Sequence, residues 1–206
     1  MARRSAPEVN AGSMADIAFL LLIFFLVTTT MEKDKGISRQ LPPIQEDTPD
    51  VIIKDKNLFI VLVNKNDDLL VEDEPMELKD LRQAAIEFLD NGGAPSNSPI
   101  YCNYCRGKKD PSSSDSPDKA IISVQNDRLT SYNMYIAVQN ELVGAYNFLR
   151  NRESQRLFGW DFTYVKSQVD AGTYVGDRSK AEEGLKEIQA LFPLKLSEAT
   201  PKKTGN

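Results

Sequence analysis

Residues 16–31 read DIAFLLLIFFLVTTTM, an apolar stretch that opens on a single carboxylate. Its uncharged part, residues 17–31, is only 15 residues long, whereas a helix needs about 20 mostly apolar residues to cross a hydrocarbon core. To reach that length, a membrane span must run back through Asp16 to Val9, so we predict it over residues 9–31. An ionised Asp inside a membrane costs on the order of 3 kcal/mol. Asp16 is therefore a candidate functional residue.

The composition excludes several classes of function. The chain has 206 residues and a net charge of −5 with no basic cluster, which argues against binding nucleic acid by neutralising phosphates. It contains no histidine, which excludes histidine-dependent catalytic triads and histidine-ligated metals. The sequence has no nucleophile elbow, phosphate-binding glycine loop or set of metal ligands. We therefore expect no enzyme activity, no cofactor and no metal site.

The N-terminus is open to two interpretations, a cleaved signal peptide or a permanent membrane anchor. Arg3 and Arg4 fit the basic region of a signal peptide, but no small-x-small cleavage motif follows the apolar stretch. We therefore predict an uncleaved anchor. Positive charges do not decide its orientation, because Lys33, Lys35 and Arg39 follow the span closely while the two arginines precede it.

The predicted span separates a short head from a linker and one folded domain. After one span about 170 residues remain, which is enough for a single modest domain. The linker is charged and contains several prolines, and its residues 37–41 have the composition of a short strand. The predicted segments are a head at 1–8, the membrane helix at 9–31, the linker at 32–50, the folded domain at 51–200 and a polar tail at 201–206.

The hydrophobic pattern of the domain predicts strands and helices in alternation. Residues 58–64 and 69–72 are rich in strand-forming side chains on either side of a polar turn, which predicts a hairpin. Apolar residues at helical spacing predict helices, and the aperiodic polar stretches between them predict irregular insertions. The remaining predictions are helices at 78–89, 132–149 and 179–191, strands at 120–125 and 194–196, and irregular insertions at 91–118 and 151–178. This order predicts an α+β fold with helices on one face of a sheet.

The two cysteines, Cys102 and Cys105, form one C-x-x-C pair. A structural zinc site needs four ligands, and neither a second pair nor a histidine completes one. A thioredoxin-like redox motif is expected in a βαβ context, whereas this pair lies in a stretch rich in Gly, Pro and Ser. If the domain lies outside the cytoplasm, we expect a small local disulfide.

The apolar helix and two short motifs resemble a known family. Residues 10–28 read NAGSMADIAFLLLIFFLVT, with Asn10 six residues before the membrane Asp16. A Leu-Pro pair follows the span at residues 41–42, and Asp127-x4-Tyr132 stands at the predicted junction of a strand and a helix. These features resemble the ExbD/TolR biopolymer-transport proteins, closely at the helix and more loosely in the domain.

Two features depart from the family pattern. Ser13 stands where the family usually has a proline three residues before the Asp, so the start of the helix differs locally. The insertions at 91–118 and 151–190 exceed the usual domain. Together with a C-terminal Ser-Glu-Ala at residues 197–199, these insertions resemble the Bacteroidetes-type ExbD members.

The resemblance implies a single-pass inner-membrane protein with a cytoplasmic N-terminus and a periplasmic domain. It also implies a homodimer whose helices sit inside a pentameric ExbB-like pore and whose domain passes motion to a TonB-like or TolA-like protein. Three alternatives remain open: a TolR-like subunit, a MotB-like stator, and a passive membrane-anchored binding module.

The chemistry of Asp16 suits a proton carrier. A low dielectric disfavours the ionised carboxylate, so the protonated and ionised forms prefer different surroundings. On a helix the side chains that share the face of Asp16 are uncharged, so a partner protein must supply the rest of a proton path. That predicted pore-facing face consists of Ser13, Leu20, Ile23 and Val27. The alternative is that Asp16 only caps or anchors the helix, since Asp is a good N-cap.

Two groups of residues in the domain have both a functional and a structural interpretation. Asp127 and Tyr132 could form a functional surface, although a turn residue and a core aromatic are the more common roles. The aromatic side chains between residues 158 and 164 could bind a partner or peptidoglycan, although filling the core of a small domain is commoner.

Overall fold

The computed structural model describes residues 11–28 and 54–199, which belong to two separate units. The first unit contains helix α1, Ala11–Thr28, and its described large apolar side chains are exposed. Within the described ranges, no helix has both the length and the apolar character needed to cross a membrane. The predicted head, linker, strand at 37–41 and tail lie outside the described residues.

The second unit is built on one mixed sheet of five strands in the order β3-β2-β1-β4-β5. Antiparallel pairs join β1 to β2 and β2 to β3, whereas β4 runs parallel to both β1 and β5. The α+β class predicted from the sequence is confirmed. The strands are β1 (Leu58–Val63), β2 (Leu69–Val71), β3 (Glu74–Met76), β4 (Ile121–Asn126) and β5 (Leu196–Ala199).

Strand β3 is an addition to the predicted hairpin. The chain reverses between β2 and β3 at Glu72 and Asp73, whose φ angles of 51° and 67° lie in the left-handed region. Two successive residues of this kind suit the tight turns whose twist matches paired strands. Pro75 lies within β3, where it is tolerated because β3 is an edge strand with no further ladder to donate to.

The main core lies between the sheet and two helices. Along β1 the buried side chains of Phe59, Val61 and Val63 alternate with half-buried ones, so one face of the strand faces the core. Helix α2 (Leu78–Leu89) and the first part of helix α3 (Tyr132–Phe158) pack their apolar stripes into this cluster. The buried apolar residues of the two stripes are Leu81, Ala85, Phe88 and Leu89 on α2 and Val138, Leu142, Ala145, Tyr146 and Leu149 on α3.

The predicted irregular insertion at 151–178 is wrong, because most of this stretch is helical. Helix α3 continues to Phe158 and stops at Gly159, whose φ of 74° is in the left-handed region. Helix α4 (Phe162–Asp170) begins after the N-cap Asp161, and helix α5 (Arg178–Leu191) begins after the N-cap Asp177. These helices share a second, smaller core formed by Phe162, Val165, Val169, Ala181, Leu185 and Ile188.

The other segments differ from prediction mainly at their ends. Strand β4 is displaced by one residue from the predicted 120–125. Strand β5 begins at Leu196, the residue at which the predicted strand was to end. Residues 91–118 contain neither helix nor strand and connect α2 to β4 through turns and bends.

Candidate functional site

Asp16 lies inside helix α1, after Ala11–Ala15 of the same helix, so it is not an N-cap. It is exposed and is the one charged residue in the α1 sequence. Leu20 and Ile23, one and two turns further on, are exposed as well. The helix also contains Ser13 and Val27 at positions that share the face of Asp16 by helical spacing.

In the domain, a short loop between β4 and α3 carries the predicted Asp127. The Asp127 amide donates to the Val63 carbonyl at 2.9 Å, and its carboxylate accepts from the Leu129 amide at 2.9 Å. The Thr130 hydroxyl donates to the carbonyls of Val63 and Asn64 at 3.2 and 3.0 Å. The loop is therefore fastened to the end of strand β1.

The same loop is also fastened to the turn between β1 and β2. The Ser131 amide donates to the Asp67 carboxylate at 2.9 Å. Hydrogen bonds from the backbone and the side chain of Ser131 hold the pKa of Asp67 below its ordinary value. The Ser131 hydroxyl accepts from the Met134 amide at 3.1 Å and caps helix α3. The start of α3 is thereby fixed relative to the sheet.

Two large apolar side chains project outward from this fixed loop. Leu129 is 74% exposed and Tyr132, in the first turn of α3, is 73% exposed. The centroid of the Tyr132 ring lies 6.4 Å from that of the Tyr135 ring. The Tyr135 hydroxyl in turn donates to the Glu198 carboxylate of β5 at 2.7 Å. The favoured interpretation of Tyr132 as a core aromatic is therefore wrong. Leu129 was not anticipated, because nothing in a single sequence marks it as exposed.

A disulfide joins Cys102 to Cys105, and both cysteines are buried. Gly92, with a φ of 64°, packs directly against it, because an added Cβ would lie 2.7 Å from Cys105 Cβ. Between the cysteines, the Tyr104 hydroxyl donates to the Leu191 carbonyl at the end of α5 at 2.8 Å. Burial raises the pKa of Tyr104 to about 12, which keeps the phenol protonated and able to donate. The disulfide loop thus connects the end of α2 to the end of α5.

A network of buried polar groups holds the rest of residues 91–118 in place. The Asn91 amide nitrogen donates to the carbonyls of Asp110 and Ser114 at 2.9 and 2.8 Å, and its oxygen accepts from the Asp110 amide at 2.9 Å. The Ser114 hydroxyl donates to the Phe88 carbonyl at 2.6 Å. Asn91 therefore acts as the centre around which the segment folds.

The buried carboxylate of Asp115 attaches the end of this segment to the start of β1. It accepts from Asn57 Nδ2 at 3.1 Å and lies 2.6 Å from Lys56 Nζ. Burial alone would raise the pKa of Asp115, but the hydrogen bonds from Lys56 and Asn57 outweigh it and hold this pKa below its ordinary value. Asp115 is therefore bound as a carboxylate.

Charged groups are also buried where α3 meets the end of α2. Arg152 donates to the two carboxylate oxygens of Asp90 at 2.6 and 2.8 Å, in the forked geometry that suits a guanidinium. Glu153 is completely buried and pairs with Arg152 and Arg156. These groups are all used in structural contacts, and the described residues contain no group of three or more acidic or cysteine side chains that could hold a metal.

Some of the aromatic residues between 158 and 164 are buried in the core, and others are exposed, as a binding role would require. Phe162 is buried in the smaller core, which is a structural role. Phe158 and Trp160 stack at 5.2 Å and are partly exposed. Tyr164 is 64% exposed in the first turn of α4. This group of aromatics therefore does not form one continuous exposed surface.

The described residues form a helix with one carboxylate among apolar side chains in one unit and an α+β domain in the other. The family model described as biopolymer transport protein ExbD/TolR matches residues 2–149. The chain therefore belongs to the ExbD/TolR family, an inner-membrane-anchored family of transport accessory proteins, and is an energising subunit of biopolymer transport. No curated protein matches the chain.

The matched range ends at residue 149, inside helix α3. It includes α1, strands β1 to β4 and α2, together with Asp16, Asp127 and Tyr132. Helices α4 and α5 and strand β5 follow the match, and the match does not assign the chain to a Bacteroidetes-type subgroup.

Proposed function

We propose that this chain is a proton-motive-force-driven, ExbD-like motor subunit. In this proposal, residues 9–31 cross the inner membrane with the N-terminus in the cytoplasm and the domain in the periplasm. Asp16 carries protons inside an ExbB-like pentameric pore, and the domain acts on a TonB-like protein for transport across the outer membrane. The observation that carries the proposal is the single carboxylate inside an otherwise uncharged helix of a chain that belongs to the ExbD/TolR family.

The proton step follows from the charge of Asp16. A protonated carboxyl is compatible with apolar surroundings, whereas an ionised one requires a polar partner or water. Alternating between these forms gives the helix two preferred positions against a neighbouring protein. One charge crossing 100 mV supplies about 2.3 kcal/mol, which is enough to bias two such positions.

A pore partner is required because α1 has no second ionisable group on the face of Asp16. The face proposed to line the pore contains no second ionisable group, so α1 cannot form a proton path by itself. A homodimer would bring two copies of Asp16 into the same pore. The proposed pore-facing residues are Ser13, Leu20, Ile23 and Val27.

The domain is proposed to contact its partner through Asp127 and Tyr132. Tyr132 is exposed in the first turn of α3, directly after a loop that hydrogen bonds hold to the sheet, and Asp127 is part of that loop. Contact with peptidoglycan is a second possible use of the domain surface. The pair Asp127 and Tyr132 is a contact surface in this proposal and has no catalytic role.

The decisive experiment measures proton flux in vesicles that contain this chain and its pore partner. Asp16→Asn keeps the size and hydrogen-bonding capacity of the side chain but cannot release a proton, so we expect assembly without flux. Asp16→Glu keeps the carboxyl and serves as the matched control, with flux retained at least in part. Flux in the Asp16→Asn variant at the level of the parent chain would contradict the proton-carrier role, and the absence of flux in every variant would favour a passive anchor.

The family description covers both ExbD and TolR, so the branch needs its own test. Co-purification of the full chain from its own membranes, followed by identification of a TonB-like or a TolA-like partner, distinguishes the two. We expect a TonB-like partner. A TolA-like or a motility partner would assign the chain to envelope maintenance or to a stator.

A further inference from the structure

We propose that the surface formed by Leu129 and Tyr132 binds a cationic, extended polypeptide segment that carries an apolar anchor side chain. This inference rests on the proposed function, because it names the chemistry of the partner that the domain would contact. These two side chains together form the Leu129–Tyr132 surface.

Both side chains of this surface are highly exposed. Single exposed apolar side chains are common on soluble domains and need no explanation. Here, however, two large ones lie three residues apart and are among the most exposed apolar side chains of the domain. Tyrosine is also one of the residue types that most often dominate the energy of an interface, since it combines a large apolar area with a polar end.

The loop that precedes Tyr132 and carries Leu129 is already held in one conformation before a partner binds. The described contacts include hydrogen bonds from the backbone amides of Asp127, Leu129 and Ser131 and from the Thr130 hydroxyl. Ordering a loop opposes binding, so a surface that is already ordered binds more tightly for the same contacts. A loop that served only to join β4 to α3 would not require both apolar side chains to point outward.

The charge around this surface selects the class of partner. The carboxyl ends of the parallel strands β1, β4 and β5 lie at the same edge of the sheet, beside this surface. Among the described residues at this edge, four are acidic and two are basic, which gives them a net charge of −2. The acidic residues are Asp67, Asp68, Asp127 and Glu198, and the basic ones are Lys65 and Arg128. Complementary charge favours a cationic partner and speeds its association.

The same charges argue against a second copy of this chain as the occupant. A two-fold symmetric dimer through this surface would place the same patch on both subunits. It would therefore bring two net negative patches together, which repel each other. An acidic segment is disfavoured for the same reason.

The test uses the full chain in detergent micelles and a fluorescent probe peptide. The probe is a short Gly/Ser peptide with several lysines around one leucine. One control peptide replaces the lysines with glutamates, another replaces the leucine with alanine, and empty micelles report background binding. Fluorescence anisotropy at low and at higher salt gives the affinities.

We expect the lysine peptide to bind and the glutamate peptide not to bind. Leu129→Ala and Tyr132→Ala should each weaken binding about tenfold, the effect typical of an interface anchor. Tyr164→Ala, which removes a similarly exposed aromatic from the first turn of α4, should change binding less than about twofold. Asp127→Asn retains an acceptor for the Leu129 amide but removes a charge, so it should reduce the salt dependence of binding.

Several results would overturn the inference: equal binding of the lysine and glutamate peptides, no effect of either Leu129→Ala or Tyr132→Ala, or no binding of any peptide. Sedimentation that shows Leu129→Ala dissociating a dimer would make this surface a self-interface and would also overturn it. The experiment involves no membrane potential. Asp16→Asn should therefore bind the peptide like the parent chain, and a failure of the proton-carrier role is distinguishable from a failure of this surface.

Discussion

The sheet core and the polar insertion are two ways of holding a chain in one conformation. The sheet core, where β1 and β4 pack against α2 and α3, consists largely of apolar side chains at regular spacing. The polar insertion, residues 91–118, has no helix or strand, and is held by a disulfide and by buried Asn91, Ser114 and Asp115. The stability of the sheet core depends on the apolar area that it buries. The stability of the polar insertion depends on hydrogen bonds between specific pairs of atoms.

This difference determines how well each region tolerates amino-acid substitutions. Apolar packing tolerates substitutions that conserve volume, because dispersion and burial have no direction. A buried polar group tolerates little, because removing one partner leaves the other unsatisfied and desolvated. We therefore expect the sheet core to control the global stability of the domain and the polar insertion to control its own local order.

The largest effect is expected from Leu142→Ala in the sheet core. Leu142 is completely buried between α3 and the sheet, so its truncation removes burial and leaves a cavity. We expect a loss of about 3 kcal/mol in the free energy of unfolding, measured with urea. Phe148→Ala on the same helix is the control, because Phe148 is exposed, and it should cost less than about 0.5 kcal/mol. Similar losses for both variants would contradict the assigned core.

Next in size is Asn91→Ala in the polar insertion. This change removes three hydrogen bonds and takes the side-chain acceptor away from the Asp110 amide, while the Asp110 and Ser114 carbonyls keep their backbone donors, so we expect a loss of about 2 kcal/mol. Hydrogen exchange should accelerate within residues 91–118 more than in β1 or β4. Asn103→Ala, in the exposed part of the same insertion, should change little. Uniform acceleration across the whole domain would make the insertion and the sheet core one cooperative unit.

A smaller effect is expected from the Cys102→Ser/Cys105→Ser double variant. The disulfide closes a very short loop, so by loop-closure entropy it contributes at most about 2 kcal/mol. Reductant should destabilise the parent chain by the same amount and leave the double variant unchanged. Fluorescence-monitored unfolding with and without reductant measures both. A parent chain that is insensitive to reductant would show that the disulfide does not stabilise the insertion.

The smallest effect is expected from titrating Asp115. Its pKa is lower in the folded domain than in the unfolded chain, so its contribution is complete above the unfolded pKa and is lost as the pH falls through the folded one. We expect unfolding midpoints to decrease below about pH 4. Asp115→Asn cannot titrate and should make this decrease shallower. An identical pH profile in Asp115→Asn would assign the decrease to other carboxylates.

Prediction from sequence succeeded where apolar periodicity was unbroken. The spacing of Leu81, Ala85 and Phe88 was sufficient for α2, and the strand-rich run of β1 was sufficient for its place in the core. It failed in the second half of α3, where the buried positions are the polar residues Arg150, Glu153 and Ser154. The burial of Arg150 depends on the Phe192 carbonyl, which is remote in sequence. Glu153 pairs with Arg152 and Arg156 just as a solvated glutamate on a helix would, so neither buried charge is distinguishable in sequence from a surface charge.

The candidate sites show the same limit. The charge of Asp16 and the spacing of the cysteines are local properties, so the sequence alone brought both to attention. The outward position of Leu129 and Tyr132 depends on hydrogen bonds to Val63, Asn64 and Asp67, which are remote in sequence. Exposure that depends on such remote contacts can be recognised only from the folded structure, in which the strands are already paired.

The position of β5 at one edge of the sheet has a consequence for how the domain folds. Its pairing with β4 joins Ile122 to Leu196, near the end of the chain, across α3, α4 and α5. Contacts between such distant residues require loop closure first and therefore form slowly. A nascent chain that has emerged only as far as α4 has an unpaired β4 edge and lacks Phe192 of the sheet core. The domain thus completes its sheet only after β5 has been synthesised, and until then it presents an edge that other strands can join.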